Sequence, residues 1–345
     1  MNLSPRQSII IKKLFVKSSG TADLLKHMSD DGLNISEDTL QRDLKYLSNN
    51  KLLISKGSGP SRIHELATLG RLYVSWSEEE VKSFLQDENR SPSKYIPDVV
   101  DNLKNSLKDN IFTDQETHVV DRYRQFILSL DSNLASKWKQ KWLIEFAWKS
   151  SSIEGNTYSV LETETLLVDH VEATGKSHQE AVMIVNHQKA YDFITQNTTD
   201  FKTISLDKIL KIHELLVKDL NVVFGIRSAP VRITGSRYIP PNNFQQLSEN
   251  LKKIIRAINE INDPLSKALS CLLLIAYLQP FGDGNKRTSR VLANAILESH
   301  NYPPLTLSGI EPTEYRRACI SFYELTDIKP MVDIIKSSYQ RFLEF

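Results

Sequence analysis

The sequence is poor in cysteine. Its 345 residues include only Cys271 and Cys319, and neither lies in a Cys-x-x-Cys motif or a Cys/His cluster. A disulfide framework and a structural zinc site are therefore excluded, and we expect both residues to be small core side chains.

The sequence also lacks a long apolar run. Its most apolar stretch, residues 268–278, has about half of the roughly 20 residues that a membrane-spanning helix requires, so we expect a buried helix there. Residues 1–13 mix Arg and Lys with Ile and lack the apolar stretch and cleavage site of a secretion signal. We therefore expect a cytoplasmic protein with no membrane partner.

Net charge is nearly absent as well. The formal net charge is +1, which argues against a nucleic-acid-binding or membrane-binding coat over the whole surface, although one domain can still be locally basic. With 40% hydrophobic and 25% charged positions, the chain is an ordinary globular sequence with room for two or three domains.

Residues 1–75 predict an N-terminal domain that begins with three helices. Ser4, followed by a proline, is a candidate N-cap of the first helix, and Ser36 is a candidate N-cap of the third. Thr21 is a candidate cap of a short second helix over residues 22–28.

A β-hairpin is predicted after the third helix. Two short segments, residues 52–55 and 62–66, flank a turn rich in glycine and serine. This order of helices and hairpin predicts a winged helix-turn-helix domain.

The third helix carries a recognisable pattern. Residues 36–47 read SEDTLQRDLKYL and resemble the recognition helix of DeoR-like winged helix-turn-helix repressors, whose pattern is SxxTxxRDLxxL. Leu40, Leu44 and Leu47 recur at helical spacing and predict the buried face. The candidate DNA-contacting residues on or near the open face are Thr39, Gln41, Arg42 and Lys45.

The charge of this domain does not decide its role. Residues 1–75 contain 11 Lys and Arg against 7 Asp and Glu, which is a mild excess for a DNA-binding domain. Two roles stay open on the sequence: DNA binding, and protein docking or dimerisation on the same fold.

The rest of the chain predicts helices. Residues 76–113 are charged, are interrupted by Pro92 and Pro97, and contain an amphipathic piece over 99–107, so they predict a helical connector. Long helical patterns dominate residues 114–345, with no internal repeat or low-complexity tract. We therefore predict a mainly α fold with a second domain over residues 114–345.

Residues 278–290, named here the signature segment, are the most informative part of the chain. They predict a loop between the apolar helix 268–278 and a helix over 291–297. Gly282 and Gly284 permit positive φ and a close backbone approach, and the N-terminus of the following helix offers unpaired N–H groups to an anion.

Charged side chains surround this predicted anion site. Arg287 and Arg290 are three residues apart, so both can reach one polyphosphate, and Lys286 adds a third cation. Asp283 is a hard oxygen ligand that suits a Mg²⁺ ion bridging the phosphates. The signature segment thus predicts a Mg-nucleotide site.

The signature segment resembles the motif HPFx[D/E]GNGRxxR of the Fic family. Residues 279–290 read QPFGDGNKRTSR, and the matching positions are Pro280, Phe281, Asp283, Gly284, Asn285, Arg287 and Arg290. The resemblance implies an all-helical domain with a small β-hairpin flap. It also implies transfer of AMP from Mg·ATP to a hydroxyl group of a target protein, so ATP and Mg²⁺ are the expected cofactors and an unidentified protein is the expected partner.

The resemblance also implies a role for each matching residue. Asp283 is expected to hold Mg²⁺, and Arg290 to bind the γ-phosphate. The anion hole around the α- and β-phosphates is expected to consist of Gly284, Asn285 and Arg287.

Two positions depart from the family motif. The family's histidine takes the proton from the target hydroxyl, and Gln279 in its place has an amide that cannot act as a base near neutral pH. Because positioned acid–base catalysis contributes roughly 100-fold to 10,000-fold, we expect AMP transfer to be weak, altered or lost. Lys286 replaces the glycine of most members and resembles the Doc branch, whose members phosphorylate their target.

An upstream segment, residues 148–160, resembles the inhibitory motif [S/T]xxxE[G/N] of the Fic family. Ser150, Glu154 and Gly155 occupy its defined positions, and Gly155 is also typical of an ordinary helix end. The resemblance implies an ion pair between Glu154 and Arg290 that keeps Arg290 from a γ-phosphate. In some members the same glutamate orients a water that removes AMP from a modified target, so hydrolysis is an alternative activity.

Residues 225–241 predict a β-hairpin that ends at a double proline. The hairpin resembles the Fic flap, which pairs with the backbone of the target protein. Its candidate docking residues are Ile233, Gly235 and Tyr238. Tyr315 is a candidate adenine-contacting residue, because many relatives have an aromatic residue near the adenine.

Three functions stay open on the sequence. The first is Mg-nucleotide binding with autoinhibition and impaired AMP transfer, and the second is full catalysis in which Glu154, a water or the target supplies the base. The third is transcriptional regulation, in which the N-terminal domain binds DNA and the second domain senses nucleotide. The sequence does not decide between a monomer and a homodimer.

Overall fold

The computed structural model describes residues 3–107, 112 and 114–340. Helices make up 64% of the structure, which confirms the predicted mainly α fold. Parts of the predicted connector (108–111 and 113) and the end of the predicted second domain (341–345) lie outside the described residues.

The described chain up to residue 107 contains six α-helices and a three-stranded sheet. The helices are α1 (Pro5–Val16), α2 (Thr21–Asp30), α3 (Glu37–Asn49), α4 (Thr68–Arg71), α5 (Glu78–Gln86) and α6 (Asp98–Ser106). The strands are β1 (Ser19–Gly20), β2 (Leu53–Lys56) and β3 (Ile63–Leu66), which are antiparallel in the order β1-β3-β2. The predicted hairpin is confirmed by β2 and β3.

Ten further α-helices lie in residues 114–340. They are α7 (Asp114–Ser129), α8 (Ser132–Ile153), α9 (Val160–Asp169), α10 (His178–Gln196), α11 (Leu206–Val217), α12 (Phe244–Asn259), α13 (Pro264–Leu278), α14 (Asn285–Ser299), α15 (Pro312–Leu325) and α16 (Lys329–Gln340).

Local capping fixes the starts of two N-terminal helices. The Ser4 hydroxyl accepts the N–H of Gln7 and the Gln7 side chain accepts the N–H of Ser4, a capping box that confirms the predicted start of α1. The Ser36 hydroxyl accepts the N–H of Thr39, which confirms the predicted start of α3.

The prediction for Thr21 is wrong. Gly20 holds the N-cap position of α2, and the Thr21 hydroxyl contacts the ring of His64 at 3.3 Å instead. The reason is tertiary, because β1 pairs with β3 immediately before α2 and fixes the backbone there.

Helix α3 packs its leucines into the N-terminal core. Leu40, Leu44 and Leu47 are buried, as predicted. Asp43 on the same helix is also buried, and its Oδ2 accepts from Arg6 Nε at 3.0 Å, which ties α3 to α1. Gln7 Nε2 of α1 also donates to Asp43 Oδ1 at 3.1 Å. A single apolar face and two polar contacts therefore orient the two helices.

The N-terminal core extends beyond residue 75. Trp76 and Val81 are buried in the same cluster as the leucines of α3, and Leu325 at the end of α15 joins them. Helix α6 confirms the predicted amphipathic piece, but Val99 and Leu103 pack into the core of the C-terminal helices instead. Apolar contacts thus join the two parts of the chain.

Helix α13 is the centre of the C-terminal core. Residues 268–278 are all buried, which confirms the predicted buried helix. Helix α14 begins at Asn285 rather than at the predicted residue 291, because Gly284 makes the turn and its carbonyl accepts the N–H of Thr288. The second half of the signature segment is therefore helical, and only residues 279–284 form a loop.

The two strands predicted within residues 225–241 do not pair with each other. Ile226 forms an isolated bridge with Phe281, and Ile239 forms one with Lys94. The backbone of this segment therefore pairs with residues that precede it and follow it in the sequence. Prolines at positions 230, 240 and 241 also remove N–H groups that a hairpin needs. The segment is an irregular loop that crosses the C-terminal helices.

A buried carboxylate anchors this irregular loop. Glu324 on α15 accepts from Arg90 Nε at 2.7 Å, from the Ser236 hydroxyl at 2.6 Å and from the Arg237 N–H at 2.9 Å. Arg90 also donates to the carbonyl of Gly235. One ion pair thus connects the segment after α5, the turn of the loop and helix α15.

The described residues also bear on the predictions about cysteines and membrane-spanning helices. Cys271 and Cys319 are both free and buried, as predicted. Of the helices in the described ranges, none has the length and apolar character needed to cross a membrane.

We expect Arg90→Met to lower the free energy of unfolding by about 3 to 5 kcal/mol, because it leaves the buried Glu324 carboxylate without its cation. The matched control is Lys104→Met, which breaks the exposed ion pair with Glu260 and should change little. Urea unfolding followed by circular dichroism measures both variants. Equal losses would mean that the Arg90–Glu324 pair is not a structural anchor.

Candidate functional site

The loop of residues 279–284 is bounded by two residues in the left-handed region. Gln279 ends α13 with a φ of 52°, and Gly284 precedes α14 with a φ of 81°. Because the first helical bond of α14 is donated by Thr288, the N–H groups of residues 285–287 are the ones that a helix N-terminus offers to an anion.

The side chains of Gln279 and Asn285 hold this loop in shape. Gln279 Nε2 donates to the carbonyl of Ala276 at 2.6 Å, and its Oε1 accepts from Asn285 Nδ2 at 2.9 Å. Asn285 also donates to the carbonyl of Phe281 and accepts the Phe281 N–H. The polar atoms of the Asn285 side chain therefore bond to other residues of the loop. Only its backbone N–H is left for the predicted anion hole.

Asp283 lies at the exposed end of the loop beside a buried arginine. Arg287 Nη2 contacts Asp283 Oδ2 at 2.7 Å, and Arg287 Nη1 donates to the carbonyl of Leu216. The Asp283 side chain is 65% exposed, whereas that of Arg287 is 3% exposed. Arg287 therefore holds the carboxylate at the edge of the site.

The carboxylate of Asp283 fits Mg²⁺ only in company with a phosphate. Mg²⁺ in nucleotide sites takes one or two carboxylates and completes its shell with phosphate oxygens and water. Within residues 3–107, 112 and 114–340, no group of three or more His, Cys, Asp and Glu could hold a metal by itself. The donor set thus suits a metal that arrives with a nucleotide.

Glu154 lies between two cations. Its Oε1 is 2.8 Å from Arg290 Nη2, and its Oε2 is 2.8 Å from Lys286 Nζ. The structure therefore contains the Glu154–Arg290 ion pair that the resemblance implies, together with a second partner, Lys286. Burial opposes ionisation of Glu154, but the two cations outweigh it and lower the pKa of this carboxyl to about 2.

Arg290 is almost completely enclosed. Its Nε donates to the Ser150 hydroxyl at 2.8 Å and its Nη2 to the Ser150 carbonyl at 3.0 Å. The guanidinium carbon lies 5.1 Å from the ring centroid of Tyr315, and Arg290 is only 1% exposed. Tyr315 is fully buried under Arg290, so the prediction that it contacts adenine is not supported.

His187 on α10 is a member of the site that sequence analysis missed. Its Nε2 is 2.8 Å from the Ser150 hydroxyl and its Nδ1 is 2.8 Å from the carbonyl of Met183. Since Arg290 already donates to this hydroxyl, the contacts assign the Nδ1–H tautomer, with Ser150 donating to Nε2. Burial lowers the pKa of His187 to about 3, so the ring is neutral. A lone histidine within a helical pattern gives no sequence signal of this role.

His213 on α11 supports the loop from behind and was also missed. Its ring stacks on Phe281 with centroids 3.8 Å apart, and its Nε2 donates to the carbonyl of Asp283 at 3.0 Å. A Cβ added to Gly284 would lie 3.1 Å from a side-chain carbon of Val217 and 3.5 Å from the His213 ring. The glycine is therefore required both by its positive φ and by this close packing.

Gly155 follows the end of a helix, as the sequence predicted. Helix α8 ends at Ile153 with Glu154 as its C-cap, and Gly155 follows with a φ of 100°. The glycine ends the helix at the point where Glu154 can turn towards α14.

These elements enclose a cleft of about 360 Å³. One side contains Glu154, Gln279 and the start of α14, and the other contains Ile320 and Tyr323 of α15. The cleft is rich in cations, because its lining includes Arg232, Lys286, Arg287 and Arg316. A mixed apolar and cationic wall of this kind suits an anionic ligand with an apolar part.

The three predicted docking residues of the flap have different surroundings. Ile233 lines the cleft, in agreement with a role at its mouth. Gly235 is held through its carbonyl by Arg90. Tyr238 is buried, and its hydroxyl donates to the carbonyl of Tyr277 at 2.6 Å, so it is a core residue and not a docking residue.

The candidate DNA-contacting residues lie apart from the cleft, on α3. Gln41, Arg42 and Lys45 are exposed. Thr39 is half-buried, and its hydroxyl accepts from Arg42 Nη2 at 3.2 Å. Arg42 is thus partly engaged on its own helix, and Gln41 and Lys45 are the more available pair.

Comparison with known proteins identifies the fold around the cleft. Residues 203–297 match the Fic/DOC family model. Protein adenylyltransferase fic-1 of Caenorhabditis elegans is 27% identical over 208 residues, which is 57% of this chain and 41% of that protein. Protein adenylyltransferase Fic of Aedes aegypti is 28% identical over 236 residues, which is 65% of this chain and 46% of that protein. The chain spans less than half the length of these relatives.

Solved structures agree on the fold. Fic-1 from C. elegans superposes with a TM-score of 0.56 at 18% identity, over 100% of this chain and 99% of that chain. A Fic domain containing signaling protein from Bacteroides thetaiotaomicron superposes with a TM-score of 0.55 at 20% identity, over 66% of this chain and 94% of that chain. Together with the segment that matches the family model, these superpositions show a Fic-like fold around the cleft.

Proposed function

We propose that this protein binds a Mg-nucleotide in the cleft, is related in activity to protein adenylyltransferases, and is held in a low-activity state by Glu154. The observation that carries the proposal is the position of the Glu154 carboxylate, which neutralises Arg290 and Lys286 beside the open N-terminus of α14. A carboxylate in this position competes with the phosphates that the N-terminus and the cations favour.

The size and charge of the cleft support a nucleotide as the ligand. Its volume of about 360 Å³ lies within the range of roughly 300 to 1,000 Å³ that is usual for small-molecule sites. The phosphates would meet the N–H groups of residues 285–287 and the cations, and the base would meet the wall of Ile320 and Tyr323. Asp283 would hold Mg²⁺, which supplies neutralisation of phosphate charge.

The position of Gln279 supports low transferase activity. Its amide Nε2 and Oε1 are both engaged, by the carbonyl of Ala276 and by Asn285, and an amide does not accept a proton near neutral pH. This chain would therefore orient a target hydroxyl beside the phosphates without removing its proton. The ATP site does not depend on that proton transfer.

Two other activities are possible for the same residues. The ionised Glu154 lines the cleft and can orient a water, which suits removal of AMP from a modified target. Transfer of the terminal phosphate, as in the Doc branch, is the second. Incubation with ATP labelled at the α- or the γ-phosphate, in the presence of lysate proteins, distinguishes the two transfers, and release of AMP from pre-modified proteins tests hydrolysis.

Our first functional prediction is that Gln279→His together with Glu154→Gly raises AMP transfer. Histidine is one of the residues that more readily adopt the left-handed φ of position 279, and its N–H can replace the Gln279 bond to Ala276. We expect an increase of roughly 100-fold or more in label transferred from α-labelled ATP, because a positioned base is restored. Gln279→Asn, which restores no base, is the control, and an equal increase in the control would contradict the proposal.

Our second functional prediction concerns nucleotide affinity. Glu154→Gly frees two cations, and a charge-assisted contact contributes about 1.5 to 3 kcal/mol, so ATP affinity should rise about 10-fold to 150-fold. ADP and AMP, with fewer phosphates, should gain less. Titration calorimetry in the presence of Mg²⁺ measures this, with Glu164→Gly on the exposed face of α9 as the control. Equal gains for ATP and AMP would contradict the inhibitory contact.

We also propose that residues 1–75 act as a DNA-binding winged helix. The supporting observation is that Gln41 and Lys45 are exposed on one face of α3, next to a β2–β3 hairpin. Docking of a second copy through the same surface is the alternative, and light scattering of the full chain tests it.

For DNA binding we predict that Lys45→Ala reduces affinity and makes the slope of log K against log salt smaller by about one unit, because one phosphate contact is lost. Fluorescence anisotropy with duplex DNA measures this, and Lys189→Ala on α10 is the charge-matched control. Equal effects of the two substitutions would contradict a role for α3.

A further inference from the structure

The two cations that contact Glu154 differ in their access to the cleft. Arg290 is 1% exposed and does not line the cleft, whereas the side chain of Lys286 is 24% exposed and does. Of the two cations that contact Glu154, the one that a ligand in the cleft meets is therefore the lysine. The inference drawn from this difference rests on the proposed nucleotide-binding function of the cleft.

Arg290 is fixed by several acceptors at once. It donates to the hydroxyl and the carbonyl of Ser150 and to Glu154 Oε1, and its guanidinium lies over Tyr315. The Ser150 hydroxyl is itself oriented by His187. If Arg290 moved out to a phosphate, the buried acceptors of Ser150 and Glu154 would lose their donor. These contacts therefore hold the arginine in place.

Lys286 is fixed by much less. Within the described parts of the chain, Glu154 Oε2 is the one acceptor recorded for its Nζ, at 2.8 Å. A lysine side chain is flexible and carries a compact charge that rotates readily from one anion to another. Its position at the second residue of α14 places its backbone N–H at the helix N-terminus as well.

The two oxygens of Glu154 therefore make two separable contacts. Oε1 belongs to the buried pair with Arg290, and Oε2 belongs to the accessible pair with Lys286. A phosphate that takes over Lys286 replaces only the second contact. Glu154 then keeps a cation partner throughout, which avoids an unpaired buried carboxylate.

We propose that Lys286, and not Arg290, binds the outer phosphates of a bound adenine nucleotide, by exchanging its contact with Glu154 for a phosphate while the Glu154–Arg290 pair stays in place. Lys286 is then the residue that makes this site discriminate ATP from AMP. It replaces the glycine of the common motif with a phosphate-binding side chain.

The test is nucleotide binding by Lys286→Met, which keeps most of the apolar length of the side chain and removes its charge. We expect ATP affinity, measured by titration calorimetry with Mg²⁺, to fall about 10-fold or more, the lower limit for a charge-assisted contact, while AMP affinity changes less than about 2-fold. If Lys286 only locked Glu154 in place, the same substitution would loosen Glu154 and leave ATP affinity unchanged or higher. The direction of the change in ATP affinity therefore distinguishes phosphate binding by Lys286 from a role that only holds Glu154 in place.

Two further variants complete the test. Arg316→Gln removes one positive charge from the same cleft without a contact to Glu154, so it should reduce the preference for ATP over AMP much less than Lys286→Met does. The double variant Glu154→Gly/Lys286→Met should bind ATP about 10-fold or more weakly than Glu154→Gly alone, because the freed lysine is then missing. Equal effects of Arg316→Gln and Lys286→Met, or equal ATP affinities of Glu154→Gly and the double variant, overturn the inference.

The outcome also separates this inference from the function on which it rests. If neither the wild-type chain nor Glu154→Gly binds ATP, the proposed nucleotide site is wrong and the inference falls with it. If both bind ATP and Lys286→Met binds it as tightly as the wild type, only the role of Lys286 is wrong. Circular dichroism confirms that each variant is folded before binding is compared.

Discussion

The interaction on which the site depends is the ion pair between Glu154 and the buried guanidinium of Arg290. A buried guanidinium needs partners for its charge and its donors, and Glu154 and Ser150 at the end of α8 accept from Nε and Nη2 of Arg290, whereas Nη1 has no hydrogen-bond partner among the described residues. Since Arg290 lies on α14, the requirement brings the end of α8 against the helix that borders the cleft. The contact that we propose to be inhibitory is thus also a structural contact.

The loop between α13 and α14 is held mainly by hydrogen bonds to its backbone. Asn285 bonds both polar groups of Phe281, His213 bonds the carbonyl of Asp283, and Arg227 Nε donates to the carbonyl of Gln279. Contacts of this kind do not depend on the Gln279 side chain being a base. The geometry of the loop therefore depends on other atoms than any acid–base chemistry at position 279 would.

Sequence reasoning succeeded where the cause was local. Ser4 and Ser36 cap their helices through their own hydroxyls, and the apolar run of α13 is long enough to require burial. It failed where contacts with distant parts of the chain decide the outcome. Thr21 does not cap α2, because its hydroxyl contacts His64 of the neighbouring strand, and Tyr238 is buried with its hydroxyl bonded to Tyr277. The predicted hairpin of residues 225–241 failed for the same reason, because its backbone bonds go to other parts of the chain.

The residues that sequence reasoning missed share one property, which is that they act on another residue rather than on a ligand. His187 orients Ser150, and His213 supports the loop that precedes α14. Lys286 was recognised as a cation, but its pairing with Glu154 depends on where α8 ends relative to α14, which no motif encodes. A motif records which side chains a site contains, whereas the charges that neutralise one another are set by packing. The state of this site is therefore decided by the contact between α8 and α14, and its composition by the sequence of the signature segment.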